Sequence, residues 1–131
     1  MTSLYHIIKN SALVVHSKRF AYLKVRKVPA MKGHFLISQD KDEITIITEE
    51  ANVKRTKFLK SVKWFKLLEV QTIAPFASKG LNAKVTSTIA AAGSIVLCIS
   101  TFSKDYFLVP EENLTHAVNA LKKVGFKTKH K

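Results

Sequence analysis

The residues able to do chemistry are scattered along this sequence and form no catalytic pattern. The 5 histidines show none of the spacings of a zinc site, neither i, i+4 beside a carboxylate nor His-x-His. Asp105 is the one acid between Val70 and Pro110, so no local carboxylate pair offers both an acid and a base. Cys98 lies in an apolar run and is predicted to be an inert core residue. We therefore expect no catalysis, no cofactor and no metal.

Positive charge is the unusual feature of the composition. The chain has 22 Lys and Arg against 9 Asp and Glu, a net charge of +13, and such a field attracts nucleic acid, acidic membrane surfaces and other anions. Residues 122–131 hold five lysines and no acid, and charge runs of this kind usually form a solvated surface or a frayed tail. Residues 51–68 hold six basic residues and no acid: Lys54, Arg55, Lys57, Lys60, Lys63 and Lys66.

Length and composition indicate a folded protein of about one domain. The chain has 131 residues, of which 47% are hydrophobic and 24% charged, values that exclude collagen-like and disordered classes. No apolar run reaches the ~18 residues of a membrane helix. The N-terminal sequence places its apolar stretch before its charges, the reverse of a secretory signal. With a single cysteine, these features favour a reducing, cytoplasmic location.

Alternating and β-branched runs predict the strands of the first half. Residues 20–27 alternate apolar and basic side chains, as a half-buried strand does. The runs HFLIS (34–38) and EITIIT (43–48) are separated by a polar turn and predict a hairpin. The run KWFKLLEV (63–70) predicts the next strand.

Two helices and two strands are predicted in the second half. Apolar residues recur at helical spacing over 81–92, and Gly93 supplies a C-terminal stop. A second amphipathic helix begins after Pro110 with two acids at its positive end. Between the helices, the run IVLCIS (95–100) predicts a central strand buried on both faces, and residues 106–109 predict another strand.

The order strand, helix, strand, strand can be followed twice, which predicts an α+β fold of two ferredoxin-like modules. In the first module the helix is reduced to the stretch near 29–31. We divide the chain into a partly ordered lead-in (1–19), a first, degenerate module (20–62), a second module (63–126) and a basic tail (127–131).

Sequence motifs in the second module resemble a known family. Trp64 and Leu67 are followed by F-x-x-x-G-L ending at Leu81, and residues 90–114 read A-A-A-G-S-I-x-x-x-I-S-T-F-x-x-D-Y-x-L-V-P-E-E-N-L. These stretches resemble the small ACT-domain proteins related to the cytosolic arginine sensors of the TOR pathway. The resemblance implies a pair of ACT-type βαββ modules, the first degenerate, that bind a free amino acid in a regulatory role.

The same resemblance implies a ligand site between two modules. Gly80 would let the backbone approach a ligand, the helix start would donate N–H groups to a carboxylate, and Asp105 would accept from an ammonium group. The alternative is that these residues are a turn glycine, a cap of the hairpin bend and, for Phe102, part of the core. The positions that match the family's ligand contacts are Ser78, Lys79, Gly80, Leu81, Thr101, Phe102 and Asp105.

One departure from the family affects specificity. An acid that helps to hold the basic end of arginine in the sensors is replaced by Ser78, and Lys79 follows it. A neutral or acidic amino acid is therefore as plausible a ligand as arginine. The sensors carry two module pairs in one chain whereas this sequence has one, so we expect a homodimer to complete the site.

Two other functions stay open on the sequence. The ferredoxin-like layout is shared by RNA-recognition modules, and the net charge favours phosphate. However, the sequence Lys32-Gly33-His34-Phe35 lacks the further aromatic residue that base stacking needs, because Leu36 stands next. The other alternative is a protein-interaction adaptor that has lost its ligand. Salt-dependent retention on nucleic acid would separate the nucleic-acid binder from the amino-acid sensor.

Overall fold

The computed structural model describes residues 3–72 and 80–131. In this part of the chain the helices are α1 (Leu4–Lys9), α2 (Glu50–Val53), α3 (Leu81–Ala91) and α4 (Leu114–Lys123), with a 3-10 turn at Glu111–Asn113. The strands are β1 (Ala12–Val25), β2 (His34–Gln39), β3 (Ile44–Glu49), β4 (Lys60–Gln71), β5 (Leu97–Ser100), β6 (Asp105–Pro110) and β7 (Lys127–His130). Helices and mostly antiparallel strands together give the predicted α+β class.

Residue contacts divide the chain into two units. Unit 1 comprises Met1–Ser17 with Lys66–Lys131, and unit 2 comprises Lys18–Phe65. Both boundaries fall inside a long strand, β1 and β4, so each unit holds a part of both strands. The module limits 20–62 and 63–126 are divisions by sequence pattern and stay a prediction.

Unit 2 is built on the predicted hairpin, which is confirmed. β2 and β3 pair antiparallel, with Ile37 opposite Ile46. The turn between them is closed by the Asp40 carboxylate, whose Oδ1 accepts from the backbone N–H groups of Asp42 at 2.8 Å and Glu43 at 2.9 Å. An aspartate at the start of a turn commonly makes such bonds, which is why the polar interval in the sequence was informative.

The core of unit 2 forms where β1 pairs antiparallel with β3. Residues 20–25 of β1 lie opposite 44–49 of β3. The helix predicted near 29–31 is absent, and the helix of this unit is the single turn α2, at Glu50–Val53. One cluster of buried core side chains consists of Ala21, Leu23, Val25, Ile46 and Val53.

In unit 1 the order β4-α3-β5-β6-α4 agrees with the apolar periodicities, whereas β7 is a further strand at residues predicted to be a basic tail. Both predicted helices are confirmed, and Gly93 follows α3 with φ +91. Alternate residues of three strands pack with the helices in one core, so one face of each strand is covered. This core contains Leu13 and Val15 of β1, Leu68 and Val70 of β4, Phe107 and Val109 of β6, Leu81, Val85 and Ile89 of α3, and Ala117, Val118 and Leu121 of α4.

The prediction that 95–100 forms a central, doubly buried strand is wrong. Among the described strands of unit 1, β5 is at an edge, followed in order by β6, β4 and β1. β5 is only four residues long, and Cys98 and Ser100 are exposed. An apolar run predicts a strand, but it does not show whether that strand has a neighbour on one side or on both.

Both ends of the chain are folded into unit 1. Ile7 and Ile8 of α1 are buried, as are Leu13, Val14 and Val15 of β1. Residues 127–130, which the charge run describes as a basic tail, form β7 and pair in parallel with residues 12–15 of β1. Lys131 extends this pairing, since its N–H donates to the Val15 carbonyl at 2.9 Å.

Candidate functional site

The start of α3 carries the first part of the predicted site. Gly80 precedes the helix with φ +81 and ψ 0, and its carbonyl accepts from the Lys84 N–H at 2.8 Å. A glycine without a side chain cannot cap the helix, so the first backbone N–H groups of α3 point outward with no side-chain acceptor from the cap position. Leu81 is buried in the core, so it can offer a ligand only its backbone.

Asn82 is a residue of this region that the sequence analysis missed. Its Oδ1 is buried and has no hydrogen-bond partner among the described residues. A buried acceptor without a donor is costly, so such groups tend to be paired with a ligand, water or protein. The sequence feature that could have identified Asn82 is its position two residues after Gly80, the glycine that precedes the helix.

The turn between β5 and β6 carries the second part of the predicted site. The Thr101 N–H donates to the Lys104 carbonyl at 2.8 Å and closes the turn. Asp105, which is half-buried, accepts from the Ser100 hydroxyl at 2.7 Å. Phe102 is 86% exposed, which excludes the alternative that it is part of the core.

A buried carboxylate connects this turn to the end of β4. The Glu69 side chain is 3% exposed, and its Oε2 lies 3.4 Å from the Lys104 ammonium. His16 Nε2 lies 2.9 Å from its Oε1, and Gln71 donates to Oε2 at 3.0 Å. Burial raises the pKa of Glu69, but the bonds from Gln71 and His16 and the Lys104 charge outweigh it, so the pKa is lowered. The Glu69 carboxylate is therefore held ionised.

The fold positions one of the two parts of the predicted site relative to β4. The Lys104–Glu69 contact places the β5–β6 turn beside the end of β4, the strand from which the chain continues towards Gly80. Thr101 and Asp105 lie in one turn, and Gly80 and Leu81 lie in the other. Ser78 and Lys79, with the Phe76 of the family motif, lie outside the described residues. The joint role of the seven positions stays a prediction.

Cys98 is not the core residue that its apolar neighbours predicted. It is exposed on the edge strand β5. Partial burial, followed by the negative charge of Asp105, raises the pKa of the Cys98 thiol. The thiol is therefore a poorer nucleophile at neutral pH than an unperturbed cysteine.

Two further features bear on function. Within residues 3–72 and 80–131, no three His, Cys, Asp or Glu side chains are grouped so that they could hold a metal ion. No helix in the same part of the chain has the length and apolar character to cross a membrane.

Comparison with known proteins gives the class of the second module. Residues 64–123 match the family model described as ACT domain. These residues include most of β4, all of α3, β5, β6 and α4, and all seven candidate positions. This match over residues 64–123 supports the ACT part of the resemblance. No curated protein matches the sequence.

Solved structures share the fold across nearly the whole chain. A protein of unknown function from Vibrio cholerae, described as a possible transport protein, matches with a TM-score of 0.80 at 15% identity, over 93% of this chain and 95% of that one. A protein from Agobacterium tumefaciens matches with a TM-score of 0.77 at 20% identity, over 93% and 94%.

The ligand-free regulatory subunit of aspartate kinase from Thermus thermophilus matches with a TM-score of 0.66 at 10% identity, over 90% of this chain and 97% of that one. At these identities the matches show the fold alone. The shared fold agrees with the predicted α+β, ferredoxin-like class.

Proposed function

We propose that this protein is a regulatory module that binds a free amino acid and has no catalysis of its own. The observation that carries the proposal is the ACT-domain match over residues 64–123, because it spans both turns of the candidate site. The similarity in fold to a regulatory subunit of aspartate kinase supports the same role.

The described residues offer complementary partners to the two ends of an amino acid. The uncapped N–H groups at the start of α3 would bind the α-carboxylate, helped by the positive end of the helix dipole. Asp105 would bind the α-ammonium, because its carboxylate has acceptor capacity beyond the single bond from Ser100. The unpaired Asn82 Oδ1 supplies another buried acceptor at the same helix start.

The charges of the residues at the candidate site indicate which class of amino acid would bind. Ser78 stands where the arginine sensors have an acid, and Lys79 adds a positive charge, so the site has lost part of its preference for a cationic side chain. We propose a neutral or acidic amino acid as the ligand. A closer relationship to the arginine sensors of the TOR pathway stays a proposal that rests on the sequence motifs alone.

Two copies of the chain would complete the site. The ACT match covers one module of this chain, and the ligand of the resembling sensors lies between modules. We therefore propose a homodimer in which the turns of two ACT domains face each other. A cytoplasmic location is part of the proposal, supported by a single cysteine and by the resemblance to cytosolic sensors.

A thermal-shift screen against the twenty amino acids tests this function. A ligand at about 100 times its dissociation constant adds about 2.7 kcal/mol of stability, which is readily measured. We expect a shift with at least one neutral or acidic amino acid. If none of the twenty changes the melting temperature at millimolar concentration, the protein is not an amino-acid sensor.

Titration calorimetry with the amino acid found in that screen tests the site. Asp105→Ala should abolish binding and leave the circular dichroism spectrum unchanged. Asp42→Ala, which removes an exposed carboxylate from the β2–β3 turn of unit 2, is the matched control and should bind as the wild type does. Unchanged affinity in Asp105→Ala would show that the ligand binds elsewhere.

A further inference from the structure

Unit 2 contains a cavity that the proposed amino-acid site does not use. Its volume is about 500 Å³, within the range of pockets that hold small molecules. One wall is residues 26–30, which follow β1, and the other is residues 55–59, which precede β4. The second of these segments lies within the basic stretch 51–68, whereas the first lies outside it.

Hydrogen bonds hold both walls in place. The Leu59 N–H donates to the Lys24 carbonyl at 2.8 Å and ties the second wall to the end of β1. The buried Thr56 hydroxyl donates to the Asn52 carbonyl at 2.7 Å. The Pro29 carbonyl lies 2.9 Å from His34 Nε2 and also accepts from the Met31 N–H at 3.0 Å. The cavity is therefore formed before any ligand binds, which lowers the cost of binding.

All the charged side chains that line the cavity are basic. Arg26, Lys27, Arg55 and Lys57 line the cavity, and no acid does. The three glutamates of unit 2 pair with cations outside the cavity: Glu49 with Lys18 at 2.8 Å, Glu50 with Arg19 at 2.6 Å and Glu43 with Lys24 at 3.8 Å. None of the four lining cations has an ion pair among the described residues. Four unneutralised cations around one cavity attract an anion.

The remaining lining is apolar. Phe58 and Leu59 are 41% and 48% exposed, so two large apolar side chains of this wall remain in contact with water. Val28, Pro29 and Ala30 complete the apolar surface on the opposite wall. A small inorganic ion would leave this surface in contact with water, whereas a ligand with an apolar body would cover it.

We propose that this cavity binds a small organic anion, a carboxylate or a phosphate carried on an apolar body. The guanidinium groups of Arg26 and Arg55 suit the planar, two-oxygen faces of both headgroups. The cations select the negative head, and the apolar residues select the tail. The ligand differs in kind from that of the ACT site, since it has no ammonium group for an acid such as Asp105 to bind.

The test uses octanoate and octyl phosphate as probes, with octanol and inorganic phosphate as controls, each titrated into the full-length protein by calorimetry. The first two share a tail and differ in headgroup, so their relative affinity decides between a carboxylate and a phosphate. We expect at least one of them to bind about tenfold or more tightly than either control, because the controls lack the head or the tail. Equal binding of octanol would overturn the role of the cations.

A pair of matched variants separates the cavity from general charge. The double variant Arg55→Gln/Lys57→Gln should lower the affinity for the tighter-binding probe about tenfold. The control double variant Lys41→Gln/Lys54→Gln removes the same charge from exposed positions outside the cavity, and it should change that affinity less than about twofold. Phe58→Ala should also lower the affinity for this probe, because it removes apolar surface from the cavity. If both double variants lose the same affinity, the probe is attracted only by the overall positive charge of the protein, and the proposal is overturned. Asp105→Ala should leave the probe's affinity unchanged, so this result is independent of the proposed amino-acid site.

Discussion

At the scale of single residues, Glu69 shows how a lone acid can be kept charged inside a sheet. Its carboxylate is almost fully buried, yet it has three partners, His16, Gln71 and Lys104. The sequence KWFKLLEV contained the signal, because an acid at an alternating position of an apolar strand needs a buried partner. The partners themselves come from distant parts of the chain, and no local pattern could name them.

Glu69→Gln should lower the free energy of unfolding at neutral pH by about 1–3 kcal/mol, because a buried hydrogen-bonded charge loses its ionic partners. The folded pKa of Glu69 is lowered, so its contribution is present above the unfolded pKa and is lost as the pH falls through the folded value. The difference between variant and wild type should therefore shrink towards acid pH. Urea unfolding followed by circular dichroism at several pH values measures it.

Glu50→Gln is the control for that experiment. Glu50 is exposed and pairs with Arg19 at 2.6 Å, so the variant should unfold nearly as the wild type does at every pH. If Glu69→Gln follows the same curve as Glu50→Gln, the buried cluster does not stabilise the protein.

Gly80 and Gly93 allow backbone strain to be separated from ligand contact. Both have positive φ, +81 and +91, and among the described residues an added Cβ would meet nothing nearer than 4.0 Å at Gly80 and nothing within 4 Å at Gly93. Gly80→Val and Gly93→Val should each cost about 1–2 kcal/mol of unfolding free energy, because a β-branched residue is strained at such φ. Only Gly80→Val should also reduce amino-acid binding. Equal binding in the two variants would remove Gly80 from the site.

At the scale of elements, the helices and strands that depend on local sequence patterns could be predicted from the sequence. The β2–β3 hairpin, α3 and α4 follow from alternation, helical periodicity and terminal glycines, all of which act within a few residues. The first half of β1 escaped notice because Leu13, Val14 and Val15 are consecutive and all buried, so there is no alternation. The sequence predicts a tail at β7, because the pairing of this strand with β1 involves a distant part of the chain and leaves no local pattern.

The pairing of β7 with β1 can be tested by truncation. A chain ending at Phe126 should lose about 2–4 kcal/mol of unfolding free energy, because it loses several backbone hydrogen bonds worth about 0.5–1.5 kcal/mol each. Replacing Lys127, Lys129 and Lys131 by Gln removes the same charges and keeps the backbone, so that variant should stay close to the wild type. Denaturant unfolding of both proteins decides the matter, and equal stability of the truncated chain would mean that the segment is only a charged tail.

The candidate site was predictable only in part for the same reason. The motif placed Gly80 at a helix start and Asp105 beside a turn, and the structure has both features. The contact between Lys104 and Glu69, which brings the turn to the end of β4, depends on which strands are neighbours. The cavity of unit 2 depends on two segments that are separate in sequence, so the charge of one segment alone did not reveal it.

At the scale of the whole molecule, net charge and self-association oppose each other. Two chains of +13 repel at low ionic strength, and salt screens this repulsion over about 10 Å at 0.1 M. If the amino-acid site lies between two copies, ligand binding and dimer formation are linked, and each must strengthen the other. We therefore expect light scattering to move from the 14.7 kDa monomer towards twice that mass as salt or the amino acid is added.

The same rise in salt should weaken binding of the organic anion to the unit 2 cavity, because there the attraction itself is electrostatic. The two proposed sites thus respond to salt with opposite sign, which no general change in solubility would produce. Asp105→Ala should still dimerise more readily with salt but lose the response to the amino acid. A mass that stays at 14.7 kDa at high protein concentration, with salt and ligand both present, would contradict a site shared between two copies.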